Sequence, residues 1–299
     1  MRIAWAVRPD STSLGRMEQV SSIRSFCLRI LDSGDLASKL SPPRMPDGGL
    51  LPDLDPGPAV HRSRPARDPG LSLASGAEPL PRPGQLLDPS ARAICLARFA
   101  HHELMAVELF AWALLRWTQL PTELRRIWLT TLAEEQLHCR LYLERLAAHG
   151  SDLSQHTRSD YFWKQRPAIE RSPHGPRAFL AAVGLTLEQA NLDFTLVYRD
   201  GFRRAGDLES AAVCQRVHDD EVLHVRRAAE WLMRLSPAHV GDPVSAYEES
   251  VPFPLAANRA KGRRFDEAAR RSAGLSEDFI EHVRKARSSQ QTAGSDSGS

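Results

Sequence analysis

The chain has 299 residues, 42% hydrophobic and 25% charged, the make-up of a globular protein with enough length to bury a core. Its 39 Lys+Arg against 37 Asp+Glu leave a formal charge of +2, so net charge selects neither nucleic acid nor a membrane surface as partner. Arginine clusters exist (Arg203-Arg204, Arg226-Arg227, Arg263-Arg264, Arg270-Arg271), but acids interleave with them and no aromatic stacking motif accompanies them.

No apolar run approaches the roughly 20 residues of a membrane helix. Ile3 to Val7 is too short for a signal-peptide core and is followed by Arg8, Asp10 and Ser11. A cytoplasmic location is expected, with Met17 as sensible a start as Met1. Cys27, Cys95, Cys139 and Cys214 lie far apart with no C-x-x-C, which indicates single buried thiols and not a disulfide framework.

In chain order, apolar residues at helical spacing (Ile23, Phe26, Cys27, Ile30, Leu31, Leu36, Leu40) predict one or two short helices between Ser21 and Leu40. Twelve of the 21 prolines then fall between Pro42 and Pro89, which excludes regular helix or a central strand there. That stretch is either an extended segment wrapped over a neighbour or a linker. Asp88-Pro89 opens a long helix, with an N-cap acid and proline at the first helical position, and it runs to Trp117. Leu120-Pro121-Thr122 ends it, and Thr122 can cap a second helix reaching Gly150. A longer link carries Tyr161-Phe162-Trp163 and prolines at 167, 173 and 176. A third helix follows from about Arg177 to Ala205, and Gly206-Asp207 closes it and caps a fourth reaching Leu235.

Four long helices, paired by short turns with one long crossover between the pairs, predict an all-α four-helix bundle over 88–236. An N-terminal extension, 1–87, precedes it. Residues 237–287 add a polar loop and two short helices, Phe265 to Ala273 and Ser276 to Lys285; the Ser/Gly/Gln-rich tail, 288–299, is expected to be disordered.

The second helix carries Glu134-Glu135-Gln136-Leu137-His138, the fourth Asp220-Glu221-Val222-Leu223-His224. In each, a Glu precedes a His by three residues, so carboxylate and imidazole share one helical face and can reach one cation. Composition alone gives roughly 0.7 such pairs, so one would mean nothing. Two occur, and they match further at a constant offset of 86: an acid before each Glu, Leu before each His, Arg two beyond it. A further acid lies six beyond each His, Glu144 and Glu230, both read as surface residues. On the other two helices Glu103 and Glu188 are 85 apart, each with an acid five residues on, Glu108 and Asp193. The chain therefore reads as two copies of one helical hairpin.

Glu188 shares an apolar stripe with Ala181, Gly184, Leu185, Leu192 and Thr195, whereas Asp193 sits on a stripe read as more solvated. Repeat symmetry then selects Glu103, with Glu108 in reserve because its stripe is hardly less apolar. The candidate metal ligands are Glu103, Glu135, His138, Glu188, Glu221 and His224. Four carboxylates converging in an apolar core would be destabilising without cations, and two divalent ions balance them. An oxygen and nitrogen donor set suits two transition-metal ions, iron first or a Mn/Fe pair. Glu134 and Asp220 are placed to orient the His of the opposite hairpin. Tyr142 and Tyr198 lie near the interior, and His101 and His102 are expected to be partly exposed.

This pattern resembles the ferritin-like di-iron carboxylate superfamily, in which two helices give one Glu each and two give Glu-x-x-His. Further segments resemble an uncharacterised ferritin-like family, one of the domain-of-unknown-function families: Ala37-Ser38-Lys39-Leu40, Arg64-Pro65-Ala66, His101-His102-Glu103-Leu104, Glu108-Leu109, Ala205-Gly206-Asp207, Asp220-Glu221 with His224-Val225, and Ala273-Gly274-Leu275. The resemblance implies that the Pro-rich segment packs on the bundle. Leu137 and Leu223 stand where monooxygenases and ribonucleotide reductases often carry Arg, which counts against those branches.

What the superfamily implies is an oxidoreductase using dioxygen or peroxide on a small organic molecule or modified nucleotide, drawing on an electron donor. Iron sequestration or peroxide scavenging without an organic substrate is the alternative, and a metal-free helical scaffold the third reading. A tRNA substrate enters by analogy alone. A homodimer is compatible with this fold.

Overall fold

The computed structural model describes residues 20–287 apart from 46, 54–55 and 75–78. The Met17 start and the expected disordered tail lie outside the described residues. Within them the protein is all-helical, without a strand, and all four cysteines are buried and free. Among the described residues no helix is long and apolar enough to cross a membrane.

The first short helix, α1 (Ile23–Asp32), starts in a capping box of Ser22 and Ser25 and buries Ile23, Phe26, Cys27, Ile30 and Leu31. Asp35 caps α2 (Leu36–Leu40). Among its described residues the Pro-rich run has no regular helix except two 3₁₀ turns, Pro69–Leu71 and Pro83–Leu87. Asp88 then caps α3 (Pro89–Arg116) by accepting from the Ser90 amide. In α4 (Thr122–Ala148), Pro121 and not Thr122 stands at the cap position, without a side-chain bond; Thr122 is already helical. Gly150, at φ 74°, lies just beyond this helix in a conformation that L side chains disfavour.

The crossover contains α5 (Arg166–Arg171), which the proline spacing did not announce. The third long helix runs as α6 (Pro176–Phe179), a π-helical segment Leu180–Glu188, and α7 (Gln189–Arg204). Asp207 caps α8 (Leu208–Leu235). The segment read as a polar loop includes α9 (Pro243–Ser250), and α10 (Glu267–Ser272) and α11 (Glu277–Lys285) follow.

The long helices pack as two hairpins, α3 on α4 and α7 on α8, joined by contacts of α8 with α4 and with the π segment. Gly184 permits that last approach: a Cβ there would lie 2.3 Å from the Ala228 Cβ. Because α1 also packs on α3, every residue from Glu103 to Leu115 is buried. A helix covered on all sides carries apolar residues all round.

The repeat-related acids Glu108 and Asp193 have matching architectural roles. Glu108 takes the ammonium of Lys39 (3.0 Å), the guanidinium of Arg67 (2.7 Å) and the Trp163 indole N–H (3.1 Å), so it fastens the N-terminal extension to α3. Asp193 takes both terminal nitrogens of Arg270 (2.8 and 3.0 Å) and the amides of Gly262 and Asp266, fastening the C-terminal segment to α7. The stripe reading put Asp193 near solvent; it is fully buried because the C-terminal segment covers it. The arginines two beyond each motif His divide the same way. Arg140 donates to the Leu40 carbonyl and Arg226 to that of Ser272.

Candidate metal centre

One helical turn separates Glu135 from His138 on α4, and Glu221 from His224 on α8, so each pair projects from a single face. Glu103 comes from mid-α3, and Glu188 ends the π segment; such segments often mark functional sites in helices. All six are buried. Their donor atoms fall into two groups: Glu103, Glu135, His138 and Glu221, then Glu135, Glu188, Glu221 and His224. Within each group the atoms lie within 4.8 Å of one another. Glu135 and Glu221 belong to both.

The imidazoles face inward through Nδ1. His138 Nδ1 is 3.3 Å from Glu135 Oε2, and His224 Nδ1 is 3.2 Å from Glu221 Oε2. Each Nε2 donates outward to a carboxylate of the other hairpin, His138 to Asp220 and His224 to Glu134, both at 3.0 Å. Those acids are in turn held by Arg216 and Arg227. Because a carboxylate only accepts, the outward bonds keep a proton on Nε2, so that a ring which gives up its Nδ1 proton to a cation would aim that nitrogen's lone pair at the centre.

Without a cation, protons balance the charges. Burial and the adjacent Glu135 carboxylate push Glu103 well above the usual carboxylate range; burial, Glu221 and Glu135 do the same to Glu188. Burial alone would raise Glu135 as well, but His224 and His138 hold it below its ordinary value. Burial opposes charge on His138, yet its bonds to Asp220 and Glu135 outweigh that and raise it to about 9. His224 is raised by Glu135 and Glu134 against the same burial.

The donor set fits metal ions on two counts. Among the described residues, Glu135 Oε1 and Glu188 Oε1 are buried without a hydrogen-bond partner. Glu135 Oε1 lies 3.0 Å from His224 Nδ1 but in a direction unsuited to a hydrogen bond. A buried acceptor left unmade costs about 1–3 kcal/mol, which a coordinated cation would offset. No sulfur joins the groups, since Cys139 donates to the Ala100 carbonyl.

The other sequence candidates fall elsewhere. Glu108 belongs to neither group, being taken up by Lys39, Arg67 and Trp163. Tyr142 is buried with its hydroxyl 3.9 Å from Cys214 Sγ, and Tyr198 donates to the Pro81 carbonyl. His101 is buried, contrary to expectation, between Arg67 and the Ser159 carbonyl, while His102 is half-buried. Glu144 and Glu230 are exposed. Sequence reasoning passed over Asn191, whose amide donates to Glu221 Oε1 at 3.0 Å. Its position three residues after Glu188 was the available signal.

Two recesses reach the cluster. One of about 20 Å³, walled by Phe110, Trp128, Phe179 and Gly184, ends at Glu188 and His224. The other, about 30 Å³, ends at Glu103 beside Tyr142 and Cys214.

A buried carboxylate and imidazole cluster able to hold a metal ion thus lies within an all-helical fold. The chain belongs to a family described as protein of unknown function (DUF455), whose sequence model matches residues 36–281 and so includes α2, the whole Pro-rich segment and the first part of α11. No curated protein and no solved structure matches it.

Proposed function

We propose that the four long helices form a ferritin-like bundle holding two transition-metal ions, and that the protein is an oxidoreductase acting with dioxygen or peroxide. The observation that carries this reading is the sharing of Glu135 and Glu221 by two otherwise separate donor groups. Glu135 and Glu221 would help hold both ions, with Glu103 and His138 completing the set for one and Glu188 and His224 for the other. Four carboxylates against two divalent ions close the formal charge, and oxygen with imidazole donors suits iron first, or a Mn/Fe pair.

When bound, such ions supply redox chemistry toward dioxygen or peroxide, with an external electron donor completing the electron count. The chain's own part is to exclude bulk water and fix the donors. Asp220 and Glu134 orient the two imidazoles, and Asn191 steadies Glu221. The apolar recess ending at Glu188 and His224 has room for about one molecule the size of water or dioxygen. A small organic molecule is the substrate this reading favours.

Elemental analysis of protein purified without chelators tests it, together with oxygen uptake after reduction. Two transition-metal ions per chain are expected, with loss of metal in Glu135→Ala and His224→Ala and oxygen uptake in the wild type alone. Folded wild-type protein that takes up no transition metal would refute the reading. Many irons per chain in a cage-sized assembly would favour storage instead.

A further inference from the structure

The small recess ending at Glu103 adjoins a much larger cleft. Phe99, His102, Asn191, Phe194 and Tyr198 line both, so the two spaces adjoin. The larger space is about 540 Å³, inside the range of about 300–1,000 Å³ typical of small-molecule sites.

We propose that this cleft binds a planar aromatic molecule bearing an anionic group, with its ring toward Glu103 and its charge outward; the assignment as a substrate site rests on the metal-centre reading above. The walls are aromatic. Phe162 stacks on the His102 ring at 5.2 Å and 20°, giving a flat face, and Phe99 meets Tyr198 edge-on at 5.0 Å. Flat rings fit between such surfaces by offset or edge contacts. Phe194 leaves 45% of its surface exposed on α7, an apolar rim that a bound ring would cover.

Among the described residues, the charged side chains along the cleft have one sign. Arg259 and Lys261 line the cleft, and no carboxylate does. Arg259 is exposed and has no ion-pair partner there, while the Lys261 ammonium donates to the Arg284 carbonyl and keeps two further protons to give. Asn191 joins cleft to centre, because it lines both cavities and its amide donates to Glu221. The inner recess admits only the edge of a ring or a small substituent, so the part of the ligand nearest Glu103 is its tip.

Three probes of one shape test this by titration calorimetry on the full chain: 2-naphthoate, 2-naphthamide and 2-naphthylmethylammonium. Naphthoate should bind at least about tenfold more tightly than the cation, and Arg259→Glu should abolish that preference. Phe194→Ala should weaken naphthoate and amide together. Met233→Arg, in the separate groove between α8 and the turn before α11, should change nothing. In protein loaded with Mn(II), the ring protons of naphthoate should broaden relative to metal-free protein.

Equal binding of the three probes, or loss of binding through Met233→Arg alone, would overturn the proposal. So would unbroadened naphthoate signals in Mn(II)-loaded protein. Metal content of the same samples separates the two readings. Charge-selective binding by protein that takes up no metal keeps the cleft and refutes the centre, whereas two metals without charge-selective binding refute the cleft alone.

Discussion

Asp220 lies on the second hairpin yet holds the imidazole of His138 on the first, with 3.0 Å between Oδ2 and Nε2. Glu134 and His224 repeat the contact in the reverse direction at the same distance. Each hairpin thus supplies the group that sets the tautomer of its partner's ring, and the centre is complete only when the hairpins are docked.

Asp220→Asn and Glu134→Gln leave the inward donors in place but remove the outward carboxylates. Each should weaken metal binding about 10–100-fold with helix content retained. Competition with a metal-sensitive dye, alongside circular dichroism, measures both quantities.

Glu103→Gln and Glu108→Gln should part company. Without its negative charge, position 108 leaves Lys39 and Arg67 buried and uncompensated, at a cost of about 3–5 kcal/mol in urea unfolding, with metal stoichiometry unchanged. Glu103→Gln should lower metal content while costing less stability.

Gly184→Ala places a methyl 2.3 Å from the Ala228 Cβ and must push α8 away from the π segment. Overpacking of this kind costs about 1–3 kcal/mol. Thermal melts should show that loss, and Ala228→Gly in the same chain should recover much of it.

Proton linkage fixes the sign of the pH response. His138, raised to about 9, stabilises the metal-free fold fully below its ordinary 6.5, and that contribution is lost as pH rises through about 9. Glu103 and Glu188, also raised, act in the same direction. The melting temperature of metal-free protein should therefore fall from pH 6.5 to 9.5. Metal binding displaces these protons, so it should acidify a weakly buffered solution and strengthen over the same interval. A flat metal-free profile would contradict the linkage.

The long helices were legible because Asp88-Pro89, Gly150 and Gly206-Asp207 punctuate them by local chemistry. The Glu-x-x-His pairs stood out because duplication raised them above chance. What the stripes did not separate was Glu103 from Glu108, and the cause is α1: a helix covered on every side loses the polar face that periodicity reads. Asp193 was misplaced for a related reason, since its cover arrives from Arg270, 77 residues along the chain. Such long-range pairings leave no local trace. Neither does the π segment, whose sequence, Leu180 to Glu188, is equally good α-helix.

Anomalous diffraction at the iron and manganese edges, from crystals grown without chelator, bears most directly on the centre. The account predicts two peaks flanking Glu135 and Glu221, one beside Glu103 and His138, the other beside Glu188 and His224. No peak among these six residues in crystals of metal-replete protein, or a metal held elsewhere in the chain, would contradict it.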